Sequence, residues 1–190
     1  MNTKQKFDNK TLAMGAVLTA IVIVLQYLGS FIHLGPFSVS LVLLPIVIGA
    51  ALCGTAIATW LGFVFGLVVL ISGDAAAFLA VNAVGTVITV LLKGAAAGFV
   101  AGIVYKALAN KNKLVAVVAA AVACPVVNTG IFLIATRVFF WSTIKEWAGD
   151  MNTVKFLFVG LVGANFLVEL AINVILSPTA VKLIDIIKKN

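Results

Sequence analysis

Long apolar segments recur along the chain, and they constrain its fold more than any other feature. A helix needs about 20 mostly apolar residues to cross a bilayer, with a range of about 17 to 25. Six segments approach or meet that length, at residues 11–29, 39–53, 55–72, 82–108, 114–140 and 154–176. Only 10% of the 190 residues are charged, too few to cover a water-exposed surface. The sequence therefore predicts an all-α integral membrane protein, with one domain over 1–190 built as a compact bundle of six transmembrane helices.

The lysines predict the orientation of this bundle. They cluster before the first predicted helix, between the fourth and fifth, and after the sixth, at Lys4, Lys6, Lys10, Lys106, Lys111, Lys113, Lys182, Lys188 and Lys189. With six spans all these positions fall on one side, and basic loops face the cytoplasm. Both termini are therefore predicted to be cytoplasmic. Pro178 is expected to end the sixth helix, which leaves 177–190 as a short amphipathic tail.

Small residues recur every fourth position in three of the segments. The first helix has Ala16 and Ala20, the third has Gly62 and Gly66, and the fourth has Gly94, Gly98 and Gly102. Residues four apart share a helix face, and small side chains there let a second helix approach closely in lipid. Such a face serves either packing within the bundle or docking of a separate membrane protein. The spacing alone does not separate these two interpretations.

Charged and polar side chains lie at bilayer depth in the fourth and sixth helices. Thr86, Thr89 and Lys93 share one face, and Glu169 belongs to a second polar face with Asn165 and Asn173. Charged groups at this depth usually face the bundle interior, where they pair or mark a substrate path. Glu169 is the expected partner of Lys93, in a structural ion pair or beside a ligand.

Pro125 lies inside the fifth predicted helix and lacks a backbone N–H. The carbonyl of Ala121, one turn earlier, therefore loses its helical hydrogen bond. We expect a ligand or a neighbouring helix to satisfy that carbonyl, because bilayer hydrocarbon offers no water to do so.

The residue inventory argues against an enzyme or a metalloprotein. The chain has 1 histidine and 2 cysteines, and it has no HExxH, CxxC or Walker A pattern. Cys53 and Cys124 lie in apolar surroundings and are interpreted as packing residues. No catalytic residue, metal site or cofactor is predicted in this chain. The net charge of +7 is attributed to helix orientation and not to nucleic-acid binding.

Four stretches, taken with the predicted topology, resemble a known family. They are AVLTA at 16–20, SLVLLPIVIGAALCG at 40–54, GLVVLISGD at 66–74 and LLKGAAAGFVAG at 91–102. With six short helices and cytoplasmic termini, the chain resembles the substrate-binding S component of an energy-coupling factor (ECF) transporter. The resemblance implies a vitamin- or micronutrient-binding subunit in a bacterial plasma membrane. Its implied partners are a transmembrane coupling subunit, contacted through Ala16 and Ala20, and two cytoplasmic ATPases that use the ATP.

The resemblance also implies a substrate pocket in the outer halves of the fourth to sixth helices and the outer loops. The residues expected to line it are Asn82, Thr86, Thr89, Lys93, Asn128, Arg137, Asn165, Glu169 and His33. Lys93 and Arg137 favour a carboxylate-bearing vitamin, such as pantothenate or folate. The implied mechanism takes substrate from outside and delivers it by reorientation of the subunit after docking. The alternative is a stand-alone secondary transporter or channel for a small solute, with Lys93 and Glu169 as an ion relay.

Overall fold

The computed structural model describes residues 9–32, 38 and 40–189, and every regular element in those residues is a helix. The helices are α1 Asn9–Gly29, α2 Leu43–Cys53, α3 Thr55–Ile71, α4 Ala76–Val81, α5 Ala83–Leu108, α6 Lys113–Phe139, α7 Trp141–Ala148 and α8 Thr153–Lys189. Four of them, α1, α5, α6 and α8, are long and apolar enough to cross a membrane, whereas α2 and α3 are shorter apolar helices. The predicted all-helical class is confirmed, and the count of six spans stays a prediction.

A single glycine separates α2 from α3. Gly54 has a φ of 86° and a ψ of 180°, a conformation that glycine adopts readily and that strains other residues. The continuous apolar stretch therefore folds as a tight helical hairpin. α2 contacts α1, α3, α5, α6 and α8, and its side chains Leu43 and Ile46 are fully buried. This short helix thus lies at the centre of the bundle, with other helices around it.

The glycine faces of α3 and α5 pack against each other. A β-carbon on Gly62 would collide with the carbonyl oxygen of Gly94, and one on Gly98 would collide with that of Ala58. The two backbones are therefore in direct contact, an approach that only glycine permits at these positions. Of the two interpretations that the spacing left open, packing within the chain is the one that the structure shows for these glycines.

The prediction that Pro178 ends the last helix is wrong. α8 continues through Pro178 to Lys189, so residues 177–189 do not form a separate tail. Ala180 and Ile184, beyond the proline, are buried in the core, and Asp185 forms an ion pair with Lys113 at the start of α6. Packing of this last segment against the bundle therefore outweighs the one helical hydrogen bond that the proline removes.

A neighbouring helix satisfies the carbonyl that Pro125 leaves without its helical donor. The Asn173 side chain of α8 donates from Nδ2 to the carbonyl oxygen of Ala121, at 3.4 Å. Asn173 is buried, so its amide and the α6 carbonyl satisfy each other away from water. Of the two partners that the sequence suggested for this carbonyl, the neighbouring helix is the one observed.

We expect Gly62→Ala to destabilise the protein, because its new β-carbon would meet the backbone of Gly94. Overpacking of this kind typically costs about 1–3 kcal/mol. Gly130→Ala is the matched control, since a β-carbon there meets nothing within 4 Å. Thermal unfolding of the purified protein in detergent should show a lower Tm for the first variant only. Equal Tm values for the two variants would contradict the close contact between α3 and α5.

The pairing of Asn173 with the Ala121 carbonyl predicts a non-additive double variant. Asn173→Leu leaves that carbonyl buried without a donor, which should cost about 1–3 kcal/mol. In a Pro125→Ala background the restored N–H of residue 125 can bond the same carbonyl, so Asn173→Leu should cost clearly less. Equilibrium unfolding of the four proteins in mixed micelles measures both costs. If they are equal, the asparagine does not compensate for the proline.

Candidate functional site

A cavity opens between the helices on the side where α1 ends and α5 begins. Its empty space, including the open mouth, is about 780 Å³. It is lined by Gln26, Ser38, Ser40, Val69, Asp74, Ala75, Phe78, Thr86, Thr89, Val90, Lys93, Asn128, Thr129, Phe132, Phe140, Val162, Asn165, Phe166 and Glu169. These residues combine apolar walls with a few converging polar groups, as ligand pockets do.

Two buried threonines of α5 present hydrogen-bond acceptors to the cavity. The hydroxyl of Thr86 donates to the carbonyl oxygen of Asn82 at 2.7 Å, and that of Thr89 donates to Gly85 at 2.6 Å. A hydroxyl group has one hydrogen, so each oxygen retains only its acceptor capacity. The bonds to their own helix thus fix both side chains and leave them to accept from a ligand.

Lys93 lies one helical turn deeper, with its ammonium group against aromatic rings. Its Nζ is 5.4 Å from the centroid of the Phe65 ring and 6.0 Å from that of Phe132, within the range of cation–π interactions. Within the described part of the chain the one ion pair is between Lys113 and Asp185. Lys93 and Glu169 line the same cavity but do not form the direct ion pair that was one expected role for them.

Glu169 and Asn128 bring two more polar groups to the cavity, from α8 and α6. The Glu169 carboxylate accepts a hydrogen bond from the backbone N–H of Ser40, at 2.9 Å. The side-chain oxygen of Asn128 is buried and accepts no hydrogen bond from the residues that the structure describes. A buried amide oxygen without a donor is unfavourable, and a bound ligand with an N–H or O–H group is one way to satisfy it.

Gln26 and Asp74 form a polar contact that the sequence analysis did not identify. The Gln26 side chain is 1% exposed, and its Nε2 donates to Asp74 Oδ2 at 2.8 Å. The hydroxyl of Ser72 donates to the same carboxylate oxygen at 3.1 Å. With the amide oriented in this way, Gln26 Oε1 is buried and accepts no hydrogen bond from any described residue.

A signal for Gln26 was present in the sequence. The residue continues the buried face of α1, which runs through Gly15, Leu18 and Val22 at helical spacing. A polar side chain on a face otherwise made of packing residues indicates a buried partner. Asp74, Ser38 and Ser40 have no comparable signal, because they lie between helices, where periodicity gives no information about side-chain direction.

Aromatic side chains form an apolar wall of the cavity. Phe78 of α4 contacts three rings edge-on, with centroid distances of 5.6 Å to Phe132, 4.9 Å to Phe140 and 5.3 Å to Trp147. Edge-to-face pairs at these distances are favourable. Through Phe78, the short helix α4 is therefore joined to α6 and α7 beside the cavity.

The first part of α8 departs from α-helical geometry beside the cavity. Residues Phe156–Gly163 form a π-helical stretch, after which α-helix resumes at Ala164. Wider helical turns of this kind are rare and occur frequently at functional sites. Val162, near the end of this stretch, and Asn165, two residues beyond it, both line the cavity.

The cavity brings together six of the residues that the sequence pointed to: Thr86, Thr89, Lys93, Asn128, Asn165 and Glu169. Asn82 instead caps α5, where its side-chain oxygen accepts from the N–H of Gly85 at 2.8 Å. Arg137 is exposed and does not line the cavity, since its guanidinium carbon stacks 4.7 Å from the Trp141 ring centroid. It follows Asn128 by nine residues, or two and a half helical turns, which places it on the opposite face of α6. His33 lies outside the described residues.

The comparison with known families assigns the chain to one of them. The family described as "ECF transporter, substrate-specific component" matches residues 10–181, which include every residue that lines the cavity. No curated protein and no solved structure matches the chain. The family consists of transporter subunits and not of enzymes, and the long apolar helices indicate a multi-pass membrane protein. The resemblance in the sequence is thereby confirmed, and the chain belongs to the substrate-specific components of ECF transporters.

Proposed function

We propose that the chain binds a small organic micronutrient with high affinity in the cavity between α1, α5, α6 and α8, taking it from outside the cell. The observation that carries this proposal is the gathering of Lys93, Asn128 and Glu169 around one open cavity within apolar helices. Polar and charged groups at bilayer depth are energetically expensive, and they usually mark a substrate or ion path. As part of an ECF-type importer, the loaded subunit docks on a coupling subunit and reorients to release its substrate inward.

We further propose six membrane spans with both termini in the cytoplasm of a bacterium. α2 has 11 residues and extends for about 16 Å, roughly half of the hydrocarbon thickness. Other helices surround α2, so the chain before it can complete the crossing without regular helical structure, and α2 and α3 form one hairpin. Lys10, Cys53 and Lys188 line one recess. This shared recess supports placing both termini and the α2–α3 turn at one end of the molecule.

The exposed face of α1 supports docking through Ala16 and Ala20. Both alanines are exposed, while the opposite face of the helix is buried through Leu18 and Val22. Leu12 and Val24, one turn to either side of the alanines, are also exposed, so the apolar stripe continues over more than three turns. A stripe of small and apolar side chains lets another membrane helix approach closely. The proposed occupant is the transmembrane coupling subunit, with ATP used by two cytoplasmic ATPases and no cofactor in this chain.

The cavity supports a substrate that carries a carboxylate. Lys93 offers an ammonium group with three donors and without a carboxylate partner among the described residues. Arg137, the second cation on which this expectation rested, lies outside the cavity. One cavity cation suits a compound with one carboxylate, such as pantothenate, better than a dicarboxylate such as folate.

Bulky substitutions on the α1 stripe should separate docking from substrate binding. We expect the double variant Ala16→Leu, Ala20→Leu to reduce ATP-driven uptake at least tenfold. The purified variant should still retain the bound small molecule. Ala171→Leu is the matched control, because Ala171 is exposed on α8, away from the stripe. Uptake is measured in proteoliposomes that contain the coupling subunit and ATPases. Gradient-driven uptake by this chain alone, without partners or ATP, would contradict the proposal and favour a stand-alone transporter.

The two cations that the sequence singled out should differ in their effect on binding. Lys93→Met removes the ammonium group in the cavity and should lower the amount of small molecule that the protein retains through purification roughly tenfold or more. Arg137→Ala removes an exposed guanidinium outside the cavity and should leave that amount unchanged. Mass spectrometry of the extracted compound, normalised to folded protein, makes the comparison. Normal retention by a folded Lys93→Met protein would exclude a ligand role for the lysine.

A further inference from the structure

Three charged side chains line the cavity, and they do not form ion pairs with one another. Lys93 belongs to α5, Glu169 to α8, and Asp74 follows α3. The one ion pair in the described part of the chain joins Lys113 and Asp185, at a different place in the bundle. Among the described residues, the cavity thus contains one ammonium group and two carboxyl groups, none of them within ion-pair distance of an opposite charge.

The present contacts of these groups are with neutral partners. The Lys93 ammonium lies over the rings of Phe65 and Phe132, and Glu169 accepts from the backbone N–H of Ser40. Asp74 accepts from a side-chain amide and a hydroxyl group. A charged group loses favourable hydration when it leaves water, and neutral donors and aromatic rings compensate only part of that free energy. A ligand with complementary charges would supply the missing partners.

Beside the carboxyl groups, the cavity contains further hydrogen-bond acceptors that a ligand with N–H or O–H donors would satisfy. Gln26 Oε1 is buried and unpaired among the described residues, because the amide nitrogen of the same side chain is held by Asp74. The hydroxyl oxygens of Thr86 and Thr89 can only accept, since their hydrogens are used within α5. An ammonium group brings three donors and a positive charge, and so matches both the acceptors and the carboxyl groups.

We infer that the substrate of this subunit is a zwitterion, with a carboxylate that pairs with Lys93, an ammonium group that pairs with the Glu169 and Asp74 carboxylates, and an apolar or aromatic body against Phe78 and Phe132. This inference rests on the proposed function and narrows it. Pantothenate and folate both carry a carboxylate but no ammonium group, so both fall outside the narrower class.

The first test is the chemistry of the compound that the purified protein retains. Gentle purification, extraction and untargeted mass spectrometry identify the compound, and separate amine and carboxyl tagging reactions report its two groups. A compound that takes both tags supports the inference. One that takes only the carboxyl tag, as pantothenate does, or only the amine tag overturns it while leaving the proposed function in place.

A matched set of probes tests the same point when nothing is retained. L-tryptophan, tryptamine and indole-3-propionate share one aromatic body. L-tryptophan carries both charged groups, tryptamine carries only the ammonium group, and indole-3-propionate carries only the carboxylate. We expect L-tryptophan to raise the Tm of the protein most, because ligands stabilise the state that they bind. Greater stabilisation by either singly charged probe overturns the inference. No retained compound together with no stabilisation by any probe overturns both the inference and the proposed function.

Charge-removing variants assign each end of the probe. Glu169→Gln should weaken binding of L-tryptophan and tryptamine roughly ten- to a hundredfold and leave indole-3-propionate unaffected. Lys93→Met should weaken binding of the two probes that carry a carboxylate, L-tryptophan and indole-3-propionate, and leave binding of tryptamine unaffected. Ala171→Leu is the folding-matched control and should change none of the three affinities. Equal losses for all three probes in both variants would show that the residues maintain the fold without pairing with ligand charges.

Discussion

The direct contact between the backbones of α3 and α5 determines how the rest of the bundle is arranged. Because Gly62 meets Gly94 and Gly98 meets Ala58, these helices lie too close for side chains between them. Lys93 immediately precedes this contact along α5, and Thr86 and Thr89 lie further toward the start of the helix. The close contact continues to Gly66, whose β-carbon would meet the carbonyl oxygen of Val90. A polar face of α5 that carries Lys93, Thr86 and Thr89 lines the cavity.

The second constraint is that every polar group at bilayer depth needs a partner, and α8 meets it in two ways. One polar face of this helix carries Asn165, Glu169, Asn173 and Ser177, all of them buried. The first two face the cavity, whereas Asn173 donates to the carbonyl that Pro125 leaves without a helical donor. Ser177 donates back to its own helix at 2.6 Å. The same polar face of α8 therefore lines the cavity through its first two residues and makes hydrogen bonds within the fold through the other two, which lie further along the helix.

Helical periodicity predicted which side chains of the long helices share the face that lines the cavity. The spacing of Thr86, Thr89 and Lys93 placed them on one face, and the structure puts all three in the cavity. The prediction that Arg137 lines the cavity rested on its positive charge alone. Its spacing from Asn128 on the same helix places it on the opposite face. Periodicity gave no access to Asp74, which lies between helices, where the position of a side chain depends on the whole fold.

The end of α8 shows a different limit of sequence reasoning. The local rule that proline stops a helix was applied to Pro178, but the residues beyond it pack into the core. Burial of Ala180 and Ile184 is a tertiary contact that neighbouring sequence does not reveal. At Pro125 the same rule succeeded, because it predicted an unsatisfied carbonyl and not the end of the helix. The loss of a donor is a local consequence of proline, whereas the end of a helix also depends on packing.

α1 joins the cavity to the surface proposed for docking. Gln26 on its buried face reaches the cavity and holds Asp74, while Ala16 and Ala20 lie on its exposed face. Ten residues of helix separate Ala16 from Gln26, a distance of about 15 Å along the axis. Gln26 is 1% exposed and the side chains around it are packed, which limits its freedom to change rotamer alone. Gln26 thus anchors the buried face of α1 at the cavity, while the opposite face of the same helix is the surface that meets the coupling subunit in the proposed assembly.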